Sequence, residues 1–295
     1  MRVVRTEREL REVLEVERRA GRTVGLVPTM GALHEGHLSL VRIARKGADV
    51  VVVSVFVNPL QFGLGEDYEH YPRDTEGDLE LLEGERTDIA FLPSVDAMYP
   101  PDATVAVTAG PLGDIFEGAA RPGHFDGVCT VVTKLFHLVQ PDIAIFGQKD
   151  AQQVAVLSRL VKDLNFAVQL RVGPIVREGD GLAMSSRNAY LTTEQREQAL
   201  ALSRSLQLGR AELEQSSNAS ASERVMSEHL ASAPGVALSY AAAVDPVTFG
   251  SPRGGRVLLI VAARVGTTRL IDNELVTRAL TAERTQGKAR HAARG

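Results

Sequence analysis

Four short runs of apolar, largely β-branched residues, at 23–27, 50–55, 88–92 and 143–146, alternate with longer amphipathic stretches in the first part of the chain. Most of these runs are apolar on consecutive positions. A strand of that kind is stable only when both of its faces are covered, as in a parallel sheet wrapped by helices. Val128, Val131, Val132, Leu135, Leu138 and Val139 mark one face of an intervening helix, and Val154, Leu157, Leu160, Val161 and Leu164 mark another at the same spacing. Strands alternating with helices predict an α/β architecture: a doubly wound, Rossmann-like parallel sheet built with right-handed crossovers.

The pattern changes after Gly173-Pro174. Thr192 and Gln195 have the spacing of a capping box and predict the start of a long helix. Residues 216–222 read as a serine-rich loop. Two strand-like runs at 237–244 and 257–263 lie close together with turn residues between them, which predicts a smaller antiparallel α+β unit. The chain of 295 residues thus divides into a large domain (1–175), a small domain (176–284) and a basic, disordered tail (285–295). No repeat at a fixed period is visible, which excludes solenoids and propellers.

Net charge is −4, so the overall field attracts neither nucleic acid nor an anionic membrane, and an anionic substrate needs a local basic site. Cys129 is the single cysteine, which excludes an internal disulfide, and its apolar surroundings predict a core residue. The longest apolar run, 50–57, is far shorter than the roughly 20 residues that span a bilayer. The first residues carry both signs of charge and no hydrophobic signal core, so the expected location is cytoplasmic.

The chemistry concentrates in Pro28-Thr29-Met30-Gly31-Ala32-Leu33-His34-Glu35-Gly36-His37, which follows the first of the four strands and runs into a helix expected to begin near His37. Ligands bind such sheets at the carboxyl ends of strands, beside helix N-termini whose free N–H groups and dipole favour phosphate. Gly31 and Gly36 let the backbone approach a nucleotide closely, and the imidazoles of His34 and His37 can donate to phosphate oxygens. Taken singly, each histidine is as readily a helix cap or a packed loop residue. A metal site at His-x-x-His lacks a third ligand at a supporting spacing. In Gly147-Gln148-Lys149-Asp150 a strand ends and a helix begins, placing Lys149 as a point charge for phosphate and Asp150 as a ribose acceptor or a helix cap.

The run from Pro28 to His37 resembles the pantothenate synthetase family, and its His-x-Gly-His the wider nucleotidylyltransferase superfamily. Further matches follow in the family's order: Phe56-Val-Asn-Pro-Leu-Gln-Phe62, Tyr71-Pro-Arg-Asp74, Arg121-Pro-Gly-His-Phe125, Phe146-Gly-Gln-Lys-Asp150 with Gln152-Gln153, and Met184-Ser185-Ser186-Arg187-Asn188. They cover residues 23–188 densely, with weaker matches at Tyr240 and Ile271-Asp-Asn273. Many members carry glutamate where this chain has Gln148.

The resemblance implies an ATP-dependent ligase that joins pantoate to β-alanine through an acyl-adenylate. It assigns ATP to Met30, Gly31, Ala32, Leu33, His34, Glu35, Gly36, His37, Gly147, Gln148, Lys149, Asp150, Val176, Met184, Ser185, Ser186 and Arg187, with His34, His37 and Lys149 catalytic. It assigns pantoate to Gln61 and Gln153, whose uncharged amides suit hydroxyls and a carboxylate, and β-alanine to Gln61. Phe62 and Val131 or Val132 are candidates for the apolar wall around the gem-dimethyl group, and Arg121 and Asn58 are weaker candidates for the same pocket. Asp78 is the candidate Mg²⁺ ligand, whereas Asp74 reads as a helix N-terminus. A homodimer formed through the larger domain is also implied. Three other readings stand beside this one. A nucleotidylyltransferase would keep the nucleotidyl group on its product. A binding module without turnover has no use for charge stabilisation at phosphorus. An NAD dehydrogenase would need a Gly-x-Gly-x-x-Gly run that the chain lacks.

Overall fold

The structure is a computed structural model that describes residues 1–277; the tail expected at 285–295 and the end of the small domain lie outside the described residues. The chain runs through β1 (Arg2–Val4), α1 (Glu7–Arg19), β2 (Val24–Thr29), α2 (Glu35–Arg45), β3 (Val50–Val55), α3 (Thr75–Gly84) and β4 (Ile89–Phe91). It continues through α4 (Val95–Met98), α5 (Glu117–Ala120), α6 (His124–Val139), β5 (Ile143–Gly147), α7 (Ala151–Asp163) and β6 (Gln169–Gly173). These six strands form one parallel sheet in the order β1-β4-β3-β2-β5-β6.

The continuous apolar runs are explained by the two faces of this sheet. In β3, Val50 and Val52 enter a core with Leu10 and Leu14 of α1 and the apolar face of α6. Val51 and Val53 enter a second core with Leu40, Val41 and Ala44 of α2 and Leu82 of α3. Each fully buried valine contributes roughly 1.5–3 kcal/mol, and both faces gain it. A strand apolar on both faces has no hydrophobic pattern to fix its register. Aspartates at the strand starts supply that information. Asp142 accepts from Val24 N (2.7 Å), Asp49 from Thr23 N (2.9 Å) and Asp88 from Val51 N (2.7 Å).

The small unit holds α8 (Thr193–Ser216), α9 (Ala219–Ser232), β7 (Val236–Val244), β8 (Arg256–Val265) and β9 (Thr268–Thr277), the strands forming an antiparallel sheet in that order. Thr192 and Gln195 make the expected capping box at the start of α8. The serine-rich loop expected at 216–222 shrinks to Ser217 and Asn218. Ser217 takes a left-handed turn (φ 55°) that ends α8, and the Asn218 side chain accepts from Ser220 N and Ala221 N to start α9. Small polar residues favour caps as readily as loops, and here caps won. One face of the small sheet packs on α8 and α9, while Val244, Leu258 and Ile260 pack with Ala151 and Ala155 of α7. That shared apolar cluster docks the small unit against the start of α7, beside the strand end that carries Lys149.

Candidate active site

The sheet order reverses between β2 and β5: the strands that follow β2 lie on one side of it and β5 on the other. Such a switch point opens a crevice at the carboxyl ends of the two strands. Thr29 ends β2 and Gly147 ends β5, so residues 30–37 and 148–150 converge there.

The loop after β2 is held by two buried side chains. Thr29 Oγ1 donates to Ser54 O (2.7 Å), and Asp78 accepts from Ala32 N (3.0 Å) and Leu33 N (2.7 Å). Gly31 takes φ +83° with Asp78 Oδ2 only 2.8 Å from where a Cβ would stand. Asp78 is 3% exposed, and burial pushes its carboxyl up while the two amides pull it down. The carboxylate expected as a Mg²⁺ ligand is therefore spent on the backbone, because at the start of α3 it meets unpaired amides before it meets solvent. Asp74 caps α3 through Gly77 N (3.0 Å).

Helix α2 begins at Glu35, earlier than expected, and His34 is its N-cap. His34 Nδ1 accepts from Gly36 N (3.1 Å) and His37 Nδ1 accepts from His34 N (3.3 Å), a reciprocal cap made by two imidazoles whose rings lie 4.1 Å apart. With Nδ1 an acceptor, a neutral ring carries its proton on Nε2. Burial lowers His34 to about 4, with Lys149 adding to the effect. Burial lowers His37 to about 3, helped by His34 and Lys149. Both rings are thus neutral Nε2–H donors at the positive end of a helix.

Lys149 follows β5 in the short 3₁₀ turn Gln148–Asp150. A cavity of about 170 Å³ is lined by Met30, His34, Gly36, His37, Gly147, Lys149, Asp150, Gln153, Val176, Met184, Ser185, Ser186 and Arg187, among others. Most residues expected at the nucleotide therefore share one space. Ala32 and Leu33 face an outer groove with His34, Ser185 and Ser186. Glu35 pairs with Arg42 at the surface, and Gln148 turns away to Asn273. Arg187 holds Asp67 through two bonds of 2.9 and 2.8 Å and lies over the Tyr71 ring. Ser186 Oγ donates to Ala32 O (3.1 Å), joining the 184–187 segment to the β2 loop.

A second cavity of about 160 Å³ adjoins the first and shares Met30, His37, Tyr71, Phe146, Asp150, Gln153 and Arg187 with it. Gln61, Arg121, Val131 and Val132 also line it. Gln61 is 8% exposed, and its Nε2 faces only the weak acceptor Met30 Sδ (3.1 Å), which leaves donor capacity for a ligand. Gln153 reaches both cavities, whereas its neighbour Gln152 is spent on Leu112 O, Ile115 O and Glu117 N. Phe62, expected in the apolar wall, packs edge-on against Tyr68 and Tyr71 instead. Phe56, Val128 and Leu135 complete that wall. Asn58 is 1% exposed and positions Gln61, donating to its Oε1 (3.0 Å) and to Gly127 O (3.0 Å). Gly127 is required there, because a Cβ would strike the Leu60 carbonyl. Arg121 pairs with Glu66 (2.6 Å).

Sequence reasoning missed His124, whose ring contacts Gln61 O at 2.8 Å and which burial lowers to about 4. Its motif, Arg121-Pro-Gly-His-Phe125, was the available signal. Among the described residues no group of three or more His, Cys, Asp or Glu is arranged to hold a metal ion. Among the described residues Asp150 puts a single carboxylate on the wall of the first cavity, a sparse donor set that fits an ion carried mainly by phosphates.

The family model described as Pantoate-beta-alanine ligase matches residues 2–275. A pantothenate synthetase of Thermotoga neapolitana is 52% identical over 279 residues, covering 94% of this chain and 100% of its own. A pantothenate synthetase of Thermoanaerobacter sp. (strain X514) is 51% identical over 270 residues, 90% and 95% of the two chains. The crystal structure of pantothenate synthetase from Thermus thermophilus superposes with a TM-score of 0.87 at 48% identity, covering 93% of this chain and 99% of that one. A pantoate-beta-alanine ligase from Francisella tularensis, complexed with beta-gamma ATP and beta-alanine, gives 0.78 at 33% identity, with 93% and 97% covered.

The histidine geometry makes a prediction about protonation. Lowered values mean that stability lent by the neutral rings is complete above about pH 6.5 and is lost as pH falls through about 4 for His34 and about 3 for His37. In ¹⁵N-detected imidazole spectra both residues are expected as Nε2–H tautomers at pH 7 and still neutral at pH 5. An Nδ1–H tautomer, or protonation of either near pH 6.5, would refute the assignment.

Proposed function

The chain belongs to the pantoate–β-alanine ligase family, and we propose that its two adjoining cavities divide that family's reaction between them, ATP in one and pantoate in the other. The enzyme catalyses ATP-dependent condensation of (R)-pantoate with β-alanine, giving pantothenate, AMP and pyrophosphate. The observation that carries the assignment of roles is the pair of neutral imidazoles capping α2 opposite Lys149.

In this reading the pantoate carboxylate attacks the α-phosphorus in line, the bond to the β-phosphate breaks, and pyrophosphate leaves. Charge builds on the α-phosphate oxygens, where His34 and His37 donate through Nε2–H and Lys149 supplies a full positive charge. Neutral donors suit this position. They gain strength as charge develops and need no counter-ion in the free enzyme. Met30, Gly36, Gly147 and Val176 bring backbone against the nucleotide, and Ser185, Ser186 and Arg187 cover its phosphates once Arg187 exchanges Asp67 for an anion. Gly31, Ala32, Leu33 and Glu35 shape that loop, and Asp150 faces the ribose. Among the described residues no carboxylate cluster stands ready for Mg²⁺, so the ion would be held chiefly by the phosphates of the nucleotide and would neutralise their charge there.

Gln61 and Gln153 take the hydroxyls and carboxylate of pantoate, with Val131 and Val132 against its methyl groups. The neutral amine of β-alanine, guided by Gln61, then attacks the acyl carbon. The C–O bond to the phosphate breaks, AMP leaves with the bonding electron pair, and the amine passes its proton to water. No nucleophilic side chain takes part, because the adenylate is already the activated acyl group. The small domain, from about residue 176, closes this site, and the enzyme works in the cytoplasm, where ATP is supplied.

Two measurements test the reading. AMP should appear only when ATP, pantoate and β-alanine are all present; AMP released without the amine, or a nucleotidylated final product, would contradict it. Gln153→Ala should weaken pantoate binding about tenfold or more, on the scale of losing hydrogen bonds to a buried polar ligand, and leave ATP affinity nearly unchanged. An equal loss for both ligands would refute the division.

A homodimer is supported by residues 103–109, a segment without regular secondary structure that is held to α6 by Val107 N to Thr130 Oγ1 (3.0 Å) and Ala109 N to Asp126 Oδ1 (2.7 Å). Val105 in it is 88% exposed, an apolar side chain open to solvent. Sedimentation should give twice the 31.8 kDa chain mass, with Val105→Asp shifting the particle toward monomer. A wild-type monomer at micromolar concentration would contradict it.

A further inference from the structure

Asn273 lies on β9 of the small unit, 125 positions beyond Gln148, and is 2% exposed. Its side chain lines neither of the two adjoining cavities and is spent on the turn that carries Lys149. Asn273 Nδ2 donates to Gln148 O (3.0 Å) and to Lys149 O (2.9 Å), and Asn273 Oδ1 accepts from Gln148 Nε2 (3.0 Å). The amide can be read in one orientation only. Two carbonyls can accept and never donate, so the NH₂ must face them, and the oxygen is then left for the Gln148 amide.

The Asn273 backbone is fixed in turn. Its N–H donates to Asp272 Oδ1 (2.8 Å), and Asp272 holds Arg177 through bonds of 2.7 and 3.0 Å. Arg177 belongs to the segment that leaves β6 at the junction of the two units, so the small unit's third strand is tied both to the turn after β5 and to the segment after β6. The turn Gln148–Asp150 has no side-chain cap of its own. Two of its carbonyls accept from this one asparagine, which comes from another part of the chain.

We infer that Asn273 is a positioning residue for Lys149: by clamping the Gln148 and Lys149 carbonyls, the small unit sets the place of the ammonium group in the nucleotide cavity. The inference rests on the reading that Lys149 acts at the phosphates. Adenylation then depends on β9 being docked, so the Lys149 turn is fixed only while the small unit is closed on the large one. Gln148 acquires a function as well. It donates to the oxygen that the clamp leaves over, a role that glutamine fills and an ionised glutamate does not.

The test is a double-mutant cycle on single-turnover adenylate formation from ATP and pantoate, using the full chain. Asn273→Ala should lower the rate about ten- to a hundredfold, the scale of a displacement of roughly 1 Å in a catalytic group, with ATP and pantoate affinities changed less than threefold. Asn273→Asp, although isosteric, should be at least as slow as Asn273→Ala, because its second oxygen would face two carbonyl oxygens. Adding Asn273→Ala to Lys149→Ala should cost almost nothing further. Gln148→Ala, at a partly exposed position, should show a smaller loss in the same direction, and it keeps the inference testable if the Asn273 variants fold poorly. Full additivity of Asn273→Ala with Lys149→Ala would overturn the inference, as would an Asn273→Asp enzyme near wild-type rate. If Lys149→Ala alone kept the wild-type rate, the role of Lys149 itself would fail, an outcome distinct from additivity.

Discussion

The reversal of strand order between β2 and β5 is the constraint from which the site follows. Parallel strands all present their carboxyl ends on one edge, and at the reversal the connections leave on opposite sides, so a crevice opens that neither covers. Into it point the first turn of α2 and the turn Gln148–Asp150. In the proposed mechanism, the groups that act at the phosphates are carried by those two segments or reach toward them. Asp78 then decides the conformation of the first one. A carboxylate buried against two amides holds Ala32 and Leu33 in place, and the loop delivers His34 to the N-cap of α2. Removing such a buried acceptor leaves amides unpaired, at a cost of about 1–3 kcal/mol each.

The small unit is held by interactions of a different grade from the surface pairs. Exposed pairs such as Arg8–Glu12 on α1 contribute about 0–1 kcal/mol. Glu117, by contrast, is largely buried and receives both Arg269 and the Tyr240 hydroxyl (3.0 Å) from the small sheet. Burial, with the Glu117 charge beside it, pushes the Tyr240 hydroxyl up, so it stays a donor. Asp272 is buried too and receives Arg177, which lies on the segment that joins the two units. Breaking a buried pair by removing one partner costs several kcal/mol, because the other charge is left without compensation. The docking is therefore specific in orientation, and the apolar cluster of Ala151, Ala155, Val244, Leu258 and Ile260 lies at its centre.

Much of this was legible in the sequence. The four apolar runs are β2, β3, β4 and β5, because strands covered on both faces leave an unbroken apolar signal. Their partners β1 and β6 lie at the sheet edges, are short or partly exposed, and carry arginine and glutamine, so they leave none. Helix α1 went unread for a similar reason: only Leu10 and Leu14 are fully buried among charged neighbours. In the site, most of the motif residues line one cavity, since backbone position follows from the fold. What the sequence could not give is where each side chain spends its hydrogen bonds. Asp78 turns to amides, Phe62 to two tyrosines and Gln148 to Asn273, each through a partner distant in sequence. The imidazole protonation states were illegible for the same reason, being set by burial and by backbone donors.

Neutral imidazoles at a helix start, stabilising the charge that develops on the α-phosphate, are the centre of the proposed mechanism. Rapid-quench measurement of adenylate formation from ATP and pantoate, without β-alanine, tests their role most directly in His37→Ala and His34→Ala. Losing one such donor should slow the step by about two to three orders of magnitude, with nucleotide affinity reduced far less. A His37→Ala enzyme that formed adenylate at the wild-type rate, or lost rate only in proportion to ATP binding, would contradict the claim.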